Sequence, residues 1–326
     1  MKAESKPLFS VLVPAFAAER FVDAAIRSVV NQSLHDWEIV AVDDASKDST
    51  RDILESWSAV DTRIRVYSNA ANLGMTANWN RCLREARGAL ILKLDADDAL
   101  RPQALEVLGD AMAREHVVGA GMRTLLVDES GEPFGAPPAD AALAAAGIDP
   151  YRDQDLPGAR WQAATYAGVQ PWSSSAFAAR RDWLVSAGGW DERLGCAADT
   201  DLILRLLRTG LVFCHRSYVG LYYRVVPGSI SDLFRREGWK DWEALVVYLR
   251  NLALMPELLA KDRRARQRRA VLWRQWRSRH ENAAWRSRVP GEMKAALEDF
   301  VRDIAAPPVK DLLLEHFVGW ARGRMA

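Results

Sequence analysis

Apolar and amphipathic stretches alternate along the first hundred residues. Apolar or alternating runs at 9–14, 37–42, 63–67 and 89–94 predict four strands. Between these runs, the segments 19–31, 46–57 and 76–86 have the features of helices. Strands that alternate with helices of this length are typical of βαβ units, so we expect an α/β fold with a parallel sheet.

The fourth predicted strand ends in three carboxylates within four positions, Asp95, Asp97 and Asp98. In open α/β sheets, ligands bind at the carboxyl edge of the strands. Carboxylates this close repel one another unless a cation lies between them, and Mg²⁺ commonly binds one or two carboxylates together with substrate phosphates. The cluster predicts a metal that carries a phosphorylated ligand. The alternative is a helix cap, because Arg101-Pro102 opens a helix just after it.

Two other strand ends add groups to the same edge. The first strand ends at Pro14-Ala15-Phe16 and the second at Asp43-Asp44. An aromatic face can stack on a nucleotide base, and a carboxylate can accept a hydrogen bond from a base N–H. As alternatives, Phe16 is a core residue and Asp44 caps the following turn. Neither a GxGxxG after the first strand nor a GxxxxGK[ST] occurs, so dinucleotide-binding and P-loop interpretations lack their motifs.

The composition limits the domain size and the cellular environment that we expect, but it indicates no catalytic chemistry. With 326 residues, 49% hydrophobic and 27% charged, the chain is typical of one large or two smaller globular domains. Cys82, Cys196 and Cys214 are far apart and form no CxxC, so we expect reduced thiols in the cytosol and no zinc site. The polar start and the lack of a long uncharged apolar run predict neither a signal peptide nor a membrane span.

Several motifs occur in the order and at the spacing of the family 2 glycosyltransferases, which the chain resembles. They lie at 10–16, 28–33, 42–50, 72–74, 80, 86–88, 94–98, 173–175, 188–192, 199–202, 205 and 223–224. The resemblance covers roughly residues 8–231. It implies the GT-A fold, which is Rossmann-like with a mostly parallel central sheet flanked by helices. The implied domain is 1–231, with a nucleotide-binding half at 8–98 and an acceptor half at 99–231, and a helical, basic extension follows at 232–326.

The resemblance also implies roles for single residues on the donor side. Phe16 is similar to the family's aromatic residue that stacks on the base, and Asp44 to the carboxylate that reads it, typically uracil. Pro14 also lies in the nucleotide-binding set. Asp95 is similar to the acidic residue near the ribose, and Asp97 to the one that binds Mg²⁺ or Mn²⁺ at the diphosphate.

On the acceptor side, Asp199 resembles the general base of the inverting members. Trp172, Arg205 and Arg224 are candidates to contact the acceptor or the diphosphate. The chain departs from the family pattern at Phe16-Ala17, where Tyr-Asn is common, at Ala198, where Glu is common, and near Val226, where His is common. The alternative for Asp199 is an N-cap of the following helix.

The remaining regions carry weaker patterns. Residues 128–170 look loop-like, with candidate sugar-stacking rings at Trp161, Tyr166 and Trp172 that are equally typical of core residues. His215 lies in an apolar strand and is interpreted as structural. Between Lys261 and Arg279, eight arginines interleave with Trp273 and Trp276, which favours an anionic membrane surface. A solvated helix that packs by its Trp face is the alternative, and no recognition motif supports nucleic-acid binding.

Together these features predict a metal-dependent, inverting glycosyltransferase with a nucleotide-diphospho-sugar donor, most simply a UDP-sugar. A carbohydrate or lipid-linked acceptor is expected, in cell-surface polysaccharide, lipopolysaccharide or glycolipid synthesis. We expect a cytoplasmic protein, or one that is peripheral at the inner face of the membrane. One alternative is a sugar-phosphate nucleotidyltransferase, although Ala15 to Arg20 is not its Gly-rich basic loop. The other is a non-catalytic carbohydrate-binding or scaffold protein, which would tolerate loss of Asp97 and Asp199.

Overall fold

The structure is a computed structural model that describes residues 6–135, 140, 143–144, 147–166, 171–229, 243–244, 247 and 251. The chain forms two compact units. The first comprises Met1–Asp191 and Arg205–Pro227, and the second Glu192–Leu204 and Gly228–Ala326. The predicted boundary at 231/232 stays a prediction. Among the described helices, none has the length and apolar character needed to cross a membrane.

The first half of the sheet follows the predicted βαβ pattern. Its elements are β1 (Phe9–Ala15), α1 (Val22–Val30), β2 (Trp37–Asp43), α2 (Thr50–Val60), β3 (Ile64–Ser68), α3 (Met75–Glu85) and β4 (Leu90–Lys93). The strands lie in the order β3-β2-β1-β4, and each pair is parallel. Every residue of β2 and β4 is buried, which explains their nearly continuous apolar runs. The parallel sheet predicted from the sequence is confirmed here.

The second half extends this sheet with longer-range pairings. Its elements are β5 (Ala99–Leu100), α4 (Ala104–Ala111), β6 (Val117–Val127), β7 (Pro133–Gly135), β8 (Gln154–Pro157), α5 (Gly158–Tyr166), a 3-10 turn (Ser174–Ala176), β9 (Phe177–Arg180), α6 (Arg181–Ser186), α7 (Ala198–Leu207) and β10 (Val212–Arg224). Strand β9 runs antiparallel between β4 and β6, and β10 is parallel to β6. The expectation of a loop between 128 and 170 is wrong for β7, β8 and α5, because β8 pairs with β10 and β7 with β6.

Helix α1 shows how the sheet is covered. Its buried residues Val22, Ala25, Ile26 and Val29 follow the three- and four-residue spacing of one helix face, and they pack in the same core as β1 and β4. Full burial of a Val or Ile side chain contributes roughly 1.5–3 kcal/mol. A core of this kind fixes the strands, and with them the positions of the loops that follow β1, β2 and β4.

A close contact at the start of β1 explains the Ala86-Arg87-Gly88 motif. A Cβ on Gly88 would lie 2.5 Å from the backbone nitrogen of Ser10 and 2.7 Å from the carbonyl carbon of Phe9. The Gly88 N–H donates to Ser10 Oγ at 2.7 Å, and Ser10 Oγ donates to Glu38 Oε1 at 2.6 Å. The buried Glu38 carboxylate is paired with Arg65 at 2.9 Å. Any side chain at 88 must displace backbone atoms of β1.

We predict that Gly88→Ala lowers the free energy of unfolding by about 1–3 kcal/mol, the usual cost of overpacking a tight site. Gly135→Ala is the matched control, because a Cβ there meets no atom within 4 Å. Urea denaturation of both variants measures the difference. Equal midpoints for the two variants would contradict the close approach of Gly88 to β1.

Candidate active site

The acidic loop after β4 concentrates negative charge at the sheet edge. Burial, followed by the negative charge of the neighbouring Asp95, raises the pKa of the Asp97 carboxyl to about 6. Burial, followed by the charges of Asp97 and Asp95, raises the pKa of Asp98 well above its usual range. The buried Asp98 Oδ2 has no hydrogen-bond partner among the described residues. The negative charge of the loop is therefore only partly neutralised by the described residues around it.

Arg224, at the end of β10, braces this loop through the backbone. Its Nε donates to the carbonyl of Asp97 at 3.0 Å, and its backbone N–H donates to Asp98 Oδ1 at 3.0 Å. Its Nη1 donates to the carbonyls of Asp128 and Glu129 at 3.0 and 2.8 Å. The side chain ties the acidic loop to the turn after β6. Its contact with an acceptor or a diphosphate stays a prediction.

Asp95 is held at both carboxylate oxygens. Oδ1 accepts from Lys93 Nζ at 2.6 Å, and Oδ2 accepts from Ser175 Oγ at 3.1 Å. The backbone N–H of Asp95 also donates to Ser175 Oγ at 3.2 Å. Ser175 belongs to the matched motif 173–175, but Lys93 was not singled out from the sequence. A lysine inside an apolar strand, two positions before the first carboxylate, was the available signal.

Phe16 follows β1 and is 49% exposed, so its ring is available for stacking. Strand β1 lies beside β4, with Leu12 opposite Lys93, so the loops carrying Phe16 and Asp95 leave neighbouring strands. Pro14, also predicted to contact the nucleotide, is partly buried in β1 opposite Val42. The exposed ring of Phe16 is compatible with its predicted role.

Asp44 is buried and organises the loop that contains Asn72-Leu73-Gly74. Its Oδ1 accepts from Asn69 Nδ2 at 2.7 Å and from the Leu73 N–H at 2.8 Å, while Oδ2 accepts from the Gly74 N–H at 3.0 Å. The Asp44 N–H donates to the carbonyl of Ala15 at 2.9 Å. The contacts give Asp44 a loop-supporting role, and base reading stays a prediction.

In the second unit, the loop before Asp199 is supported by a buried carboxylate. Glu243 Oε1 accepts from the Gly195 N–H at 3.0 Å, and Oε2 accepts from the Ala197 N–H at 2.9 Å and from Cys196 Sγ at 3.4 Å. Burial raises the pKa of the Glu243 carboxyl above its usual value. Asp199 lies in the first turn of α7, directly after this loop.

A second contact holds the same helix two residues after Asp199. Asn251 Nδ2 donates to Asp201 Oδ1 at 3.2 Å, and both residues are fully buried. Glu243, Val247 and Asn251 are each helical and buried, and they are spaced four positions apart in the sequence. No role of this segment near Asp199 was predicted from the sequence. The available signal was a pair of polar residues, Glu243 and Asn251, four positions on either side of Val247.

Arg205 and Trp172, both predicted to contact substrate, have protein partners. The Arg205 guanidinium donates to the carbonyl of Gly189 at 2.8 Å and also to that of Ala187. Trp172 is 2% exposed, and its Nε1 donates to His215 Nδ1 at 3.1 Å. Both substrate contacts stay predictions, although burial of the Trp172 ring favours its core interpretation over stacking on a sugar.

The structural role of His215 is confirmed. Its Nε2 lies 2.9 Å from the carbonyl of Pro150, so Nε2 carries the proton and Nδ1 accepts from Trp172. Burial lowers the pKa of His215. Trp161 is fully buried, with Nε1 bonded to the Phe213 carbonyl, which also favours the core. The side chain of Tyr166 and the basic segment 261–279 lie outside the described residues.

The acidic loop fits a divalent cation that is shared with a ligand. Across the part of the chain that the structure describes, no group of three or more His, Cys, Asp or Glu side chains forms a metal cage. Mg²⁺ does not need one, because it commonly binds one or two carboxylates and completes its shell with water and substrate phosphates. Asp97, partly exposed beside Asp95, is the carboxylate that suits this mode.

We predict that Asp97→Asn stabilises the protein in EDTA. The native pKa of about 6 lies above the unfolded value of 3.8, so the wild type loses stability as the pH rises through this interval. The melting temperature of the variant should therefore exceed that of the wild type increasingly between pH 4 and 6, and by a constant amount above. Thermal melts across pH measure this.

Asp128→Asn is the control of opposite sign. Hydrogen bonds from Ser130 and Glu132 lower the pKa of Asp128, so its ionised form stabilises the native state above the unfolded pKa. This variant should melt at or below the wild-type temperature at neutral pH. A lower melting temperature for Asp97→Asn at pH 7.5 would show that its charge is already compensated without a cation.

Two family models match the chain. The model described as glycosyl transferase family 2 matches residues 10–138, and the model described as glycosyl transferase family group 2 matches residues 90–275. The second match alone covers more than half of the chain. Together the matched segments contain the acidic loop, Phe16, Asp44 and Asp199.

Curated relatives match about a third of the chain. The putative teichuronic acid biosynthesis glycosyltransferase TuaG of Bacillus subtilis is 39% identical over 101 residues, which are 31% of this chain and 40% of the relative. The chondroitin synthase of Escherichia coli is 34% identical over 109 residues, which are 33% of this chain and 16% of the relative. The chain spans less than half the length of these relatives.

Solved structures match nearly the whole chain. Residues 1–349 of S. aureus TarS in complex with UDP give a TM-score of 0.59 at 19% identity, covering 98% of this chain and 87% of the other. The complex of the same segment with UDP-GlcNAc gives 0.60 at 18% identity, covering 92% and 82%. At these identities the likeness shows a shared fold.

Proposed function

Because the chain belongs to the family 2 glycosyltransferases, we propose that it moves a sugar from a UDP-sugar to an acceptor hydroxyl with inversion at the anomeric carbon. The observation that carries the proposal is the under-neutralised acidic loop after β4, next to the strand that ends at the exposed Phe16. A base and a diphosphate of one nucleotide can occupy neighbouring strand ends of such a sheet.

For the donor, we assign the base to Phe16 and Pro14, the ribose to Asp95 and the diphosphate to the neighbourhood of Asp97. The exposed ring offers a stacking face, while Asp44 holds the Asn72–Gly74 loop beside the end of β1. The two TarS complexes, with UDP and with UDP-GlcNAc, support a uridine nucleotide as the carrier on a chain of this fold.

Asp97 would hold the cation, Mg²⁺ or Mn²⁺, and a cation bound there supplies positive charge to the departing diphosphate. The chain contributes the placement of that carboxylate. Arg224 fixes the Asp97 carbonyl and the Asp98 carboxylate from β10, so the loop has its shape before the donor arrives. Placement of this kind lowers the cost of ordering the site during the reaction.

For the acceptor, we assign the general base to Asp199. Its carboxylate takes the proton of the acceptor hydroxyl as the oxygen forms a bond to the anomeric carbon and the bond from that carbon to the diphosphate breaks. One displacement inverts the carbon, by the logic that holds for inverting glycosidases. The backbone contacts of Glu243 and the Asn251–Asp201 contact, which flank Asp199 in its own unit, support a fixed position for this residue.

The acceptor is proposed to be a carbohydrate or a lipid-linked sugar of a cell-surface polysaccharide, lipopolysaccharide or glycolipid. The names of two relatives, teichuronic acid biosynthesis and chondroitin synthase, support the polysaccharide class. A location in the cytoplasm or at the inner membrane face, with 261–279 on anionic lipid, belongs to the same proposal. No observation favours a nucleotidyltransferase or a non-catalytic scaffold.

The test starts with the donor. A set of nucleotide-sugars with Mn²⁺ is screened by thermal shift, because a ligand that binds only the native state raises the melting temperature. We expect UDP-sugars to give the largest shifts in the wild type and Asp97→Ala to lose the Mn²⁺-dependent part. Equal shifts from guanosine, adenosine and uridine carriers would remove the support for uracil recognition.

Asp199→Asn is predicted to reduce the transfer rate by roughly 10²–10⁴-fold, because the proton acceptor is lost. UDP binding and the melting temperature should stay at wild-type values. Asp199 is the second residue of α7 and not its N-cap. If its charge only stabilised the first turn of this helix, the variant would instead lose at most about 1 kcal/mol of stability with near-normal turnover. Asp52→Asn, in the first turn of α2, is the matched control for removing an acidic residue from a helix start. An active Asp199→Asn enzyme would rule out the general base assignment.

A further inference from the structure

A buried lysine lies directly before the acidic loop. Lys93, the last residue of β4, is 3% exposed, and its Nζ is 2.6 Å from Asp95 Oδ1. The same Nζ lies 3.9 Å from the centroid of the Trp79 ring. Burial of an ammonium group away from water is costly unless the group is paired with an opposite charge or a comparable partner. Asp95 and the Trp79 ring therefore both compensate the charge of Lys93.

The surroundings hold this pair in one arrangement. Trp79 packs edge-on against Trp190, with ring centroids 5.9 Å apart. Asn80 fixes the backbone of Trp190 on both sides, since its Nδ2 donates to the carbonyl at 2.8 Å and its Oδ1 accepts from the N–H at 2.9 Å. Ser175 Oγ occupies the other oxygen of Asp95. The Asp95 carboxylate thus has one orientation, with a positive charge on one oxygen and a neutral hydroxyl on the other.

Lys93 gives Asp95 and Asp97 different electrostatic environments. One carboxylate, Asp95, has a resident cation of the protein's own, whereas burial and Asp95 dominate the environment of Asp97. A carboxylate that is already paired attracts a divalent ion less than an uncompensated one. It still presents acceptor lone pairs to a hydroxyl, because each carboxylate oxygen can accept more than one hydrogen bond.

We propose that Lys93 is a positioning residue that orients Asp95 for the ribose hydroxyls of the donor and leaves the divalent cation to Asp97. The proposal rests on the donor site proposed above and deepens it. Two consequences follow. The nucleoside part of the donor binds without a cation, and the positive charge of Lys93 weakens cation binding at the loop in the absence of nucleotide.

The test compares uridine, which has no phosphate, with Mn²⁺ alone. Calorimetry in EDTA measures uridine affinity, and electron paramagnetic resonance measures Mn²⁺ affinity without nucleotide. In Lys93→Met, uridine affinity should fall about tenfold or more, because a hydrogen bond to a charged group loses its orienting partner. Mn²⁺ affinity should rise about tenfold, because a positive charge near the cation is removed.

Ser175→Ala separates orientation from charge. It removes the neutral partner of Asp95, so uridine affinity should fall while Mn²⁺ affinity stays unchanged. Lys6→Met, at an exposed position before β1, is the control for loss of a lysine and should change neither. Should Lys93→Met not fold, Lys93→Gln carries the same test.

The outcomes are distinguishable. Opposite changes in the two affinities of the Lys93 variant support the proposal. Unchanged affinities, or a parallel loss of both with a lower melting temperature, overturn it and leave Lys93 as a packing residue. A wild type that binds neither uridine nor Mn²⁺ overturns the donor site itself, and the role of Lys93 with it.

Discussion

Three carboxylates within four residues at the end of a buried strand are the constraint on which this structure depends. Such a loop is unstable unless other parts of the chain compensate its charge and satisfy its backbone. Strand β4 supplies Lys93, the 3-10 turn before β9 supplies Ser175, and the end of β10 supplies Arg224. Strands β9 and β10 therefore extend the sheet and also shape the acidic loop. Asp97 and Asp98 remain incompletely compensated, and of these two the partly exposed Asp97 is the one that suits a cation and a diphosphate.

The sequence predicted the parallel half of the GT-A fold because its signals are local. Apolar runs, helical spacing and terminal aspartates all lie within a few residues of the strands and loops they specify. Pairing of Gln154–Pro157 with β10 was missed, since the partners are nearly sixty residues apart and Gln154–Pro157 has no distinctive strand pattern. The Pro- and Gly-rich composition around Gly131 correctly marks turns but hides the short strand after it.

The site shows the same division between local and distant information. Asp95, Asp97 and Phe16 follow strand ends, and the structure places them at the ends of neighbouring strands. The hydrogen bonds of Asp44 to Asn69, Leu73 and Gly74 join distant segments and could not be read from spacing. The role of Trp172 was ambiguous, because a tryptophan that packs in a core and one that stacks on a sugar ring look alike in a sequence. Glu243 was missed because a carboxylate in a helix is usually on its surface.

The contacts of Glu243 and Asn251 change the view of the C-terminal segment. In the second unit these side chains hold the backbone before Asp199 and the side chain of Asp201 after it. A segment that looked like an appended extension contributes to the loop with the proposed general base. The buried Glu243 carboxylate accepts hydrogen bonds from two backbone N–H groups and so gives the loop a defined shape. Removing this carboxylate would lower stability, because both N–H groups would lose their partner.

The most direct test of the account is a crystal structure with UDP and Mn²⁺, with the metal located by its anomalous signal. The account predicts Mn²⁺ between the Asp97 carboxylate and the diphosphate, uracil stacked on Phe16, and the ribose hydroxyls at Asp95, which keeps its contact with Lys93. A metal bound away from Asp97, or a nucleotide whose base lies off Phe16, would contradict it.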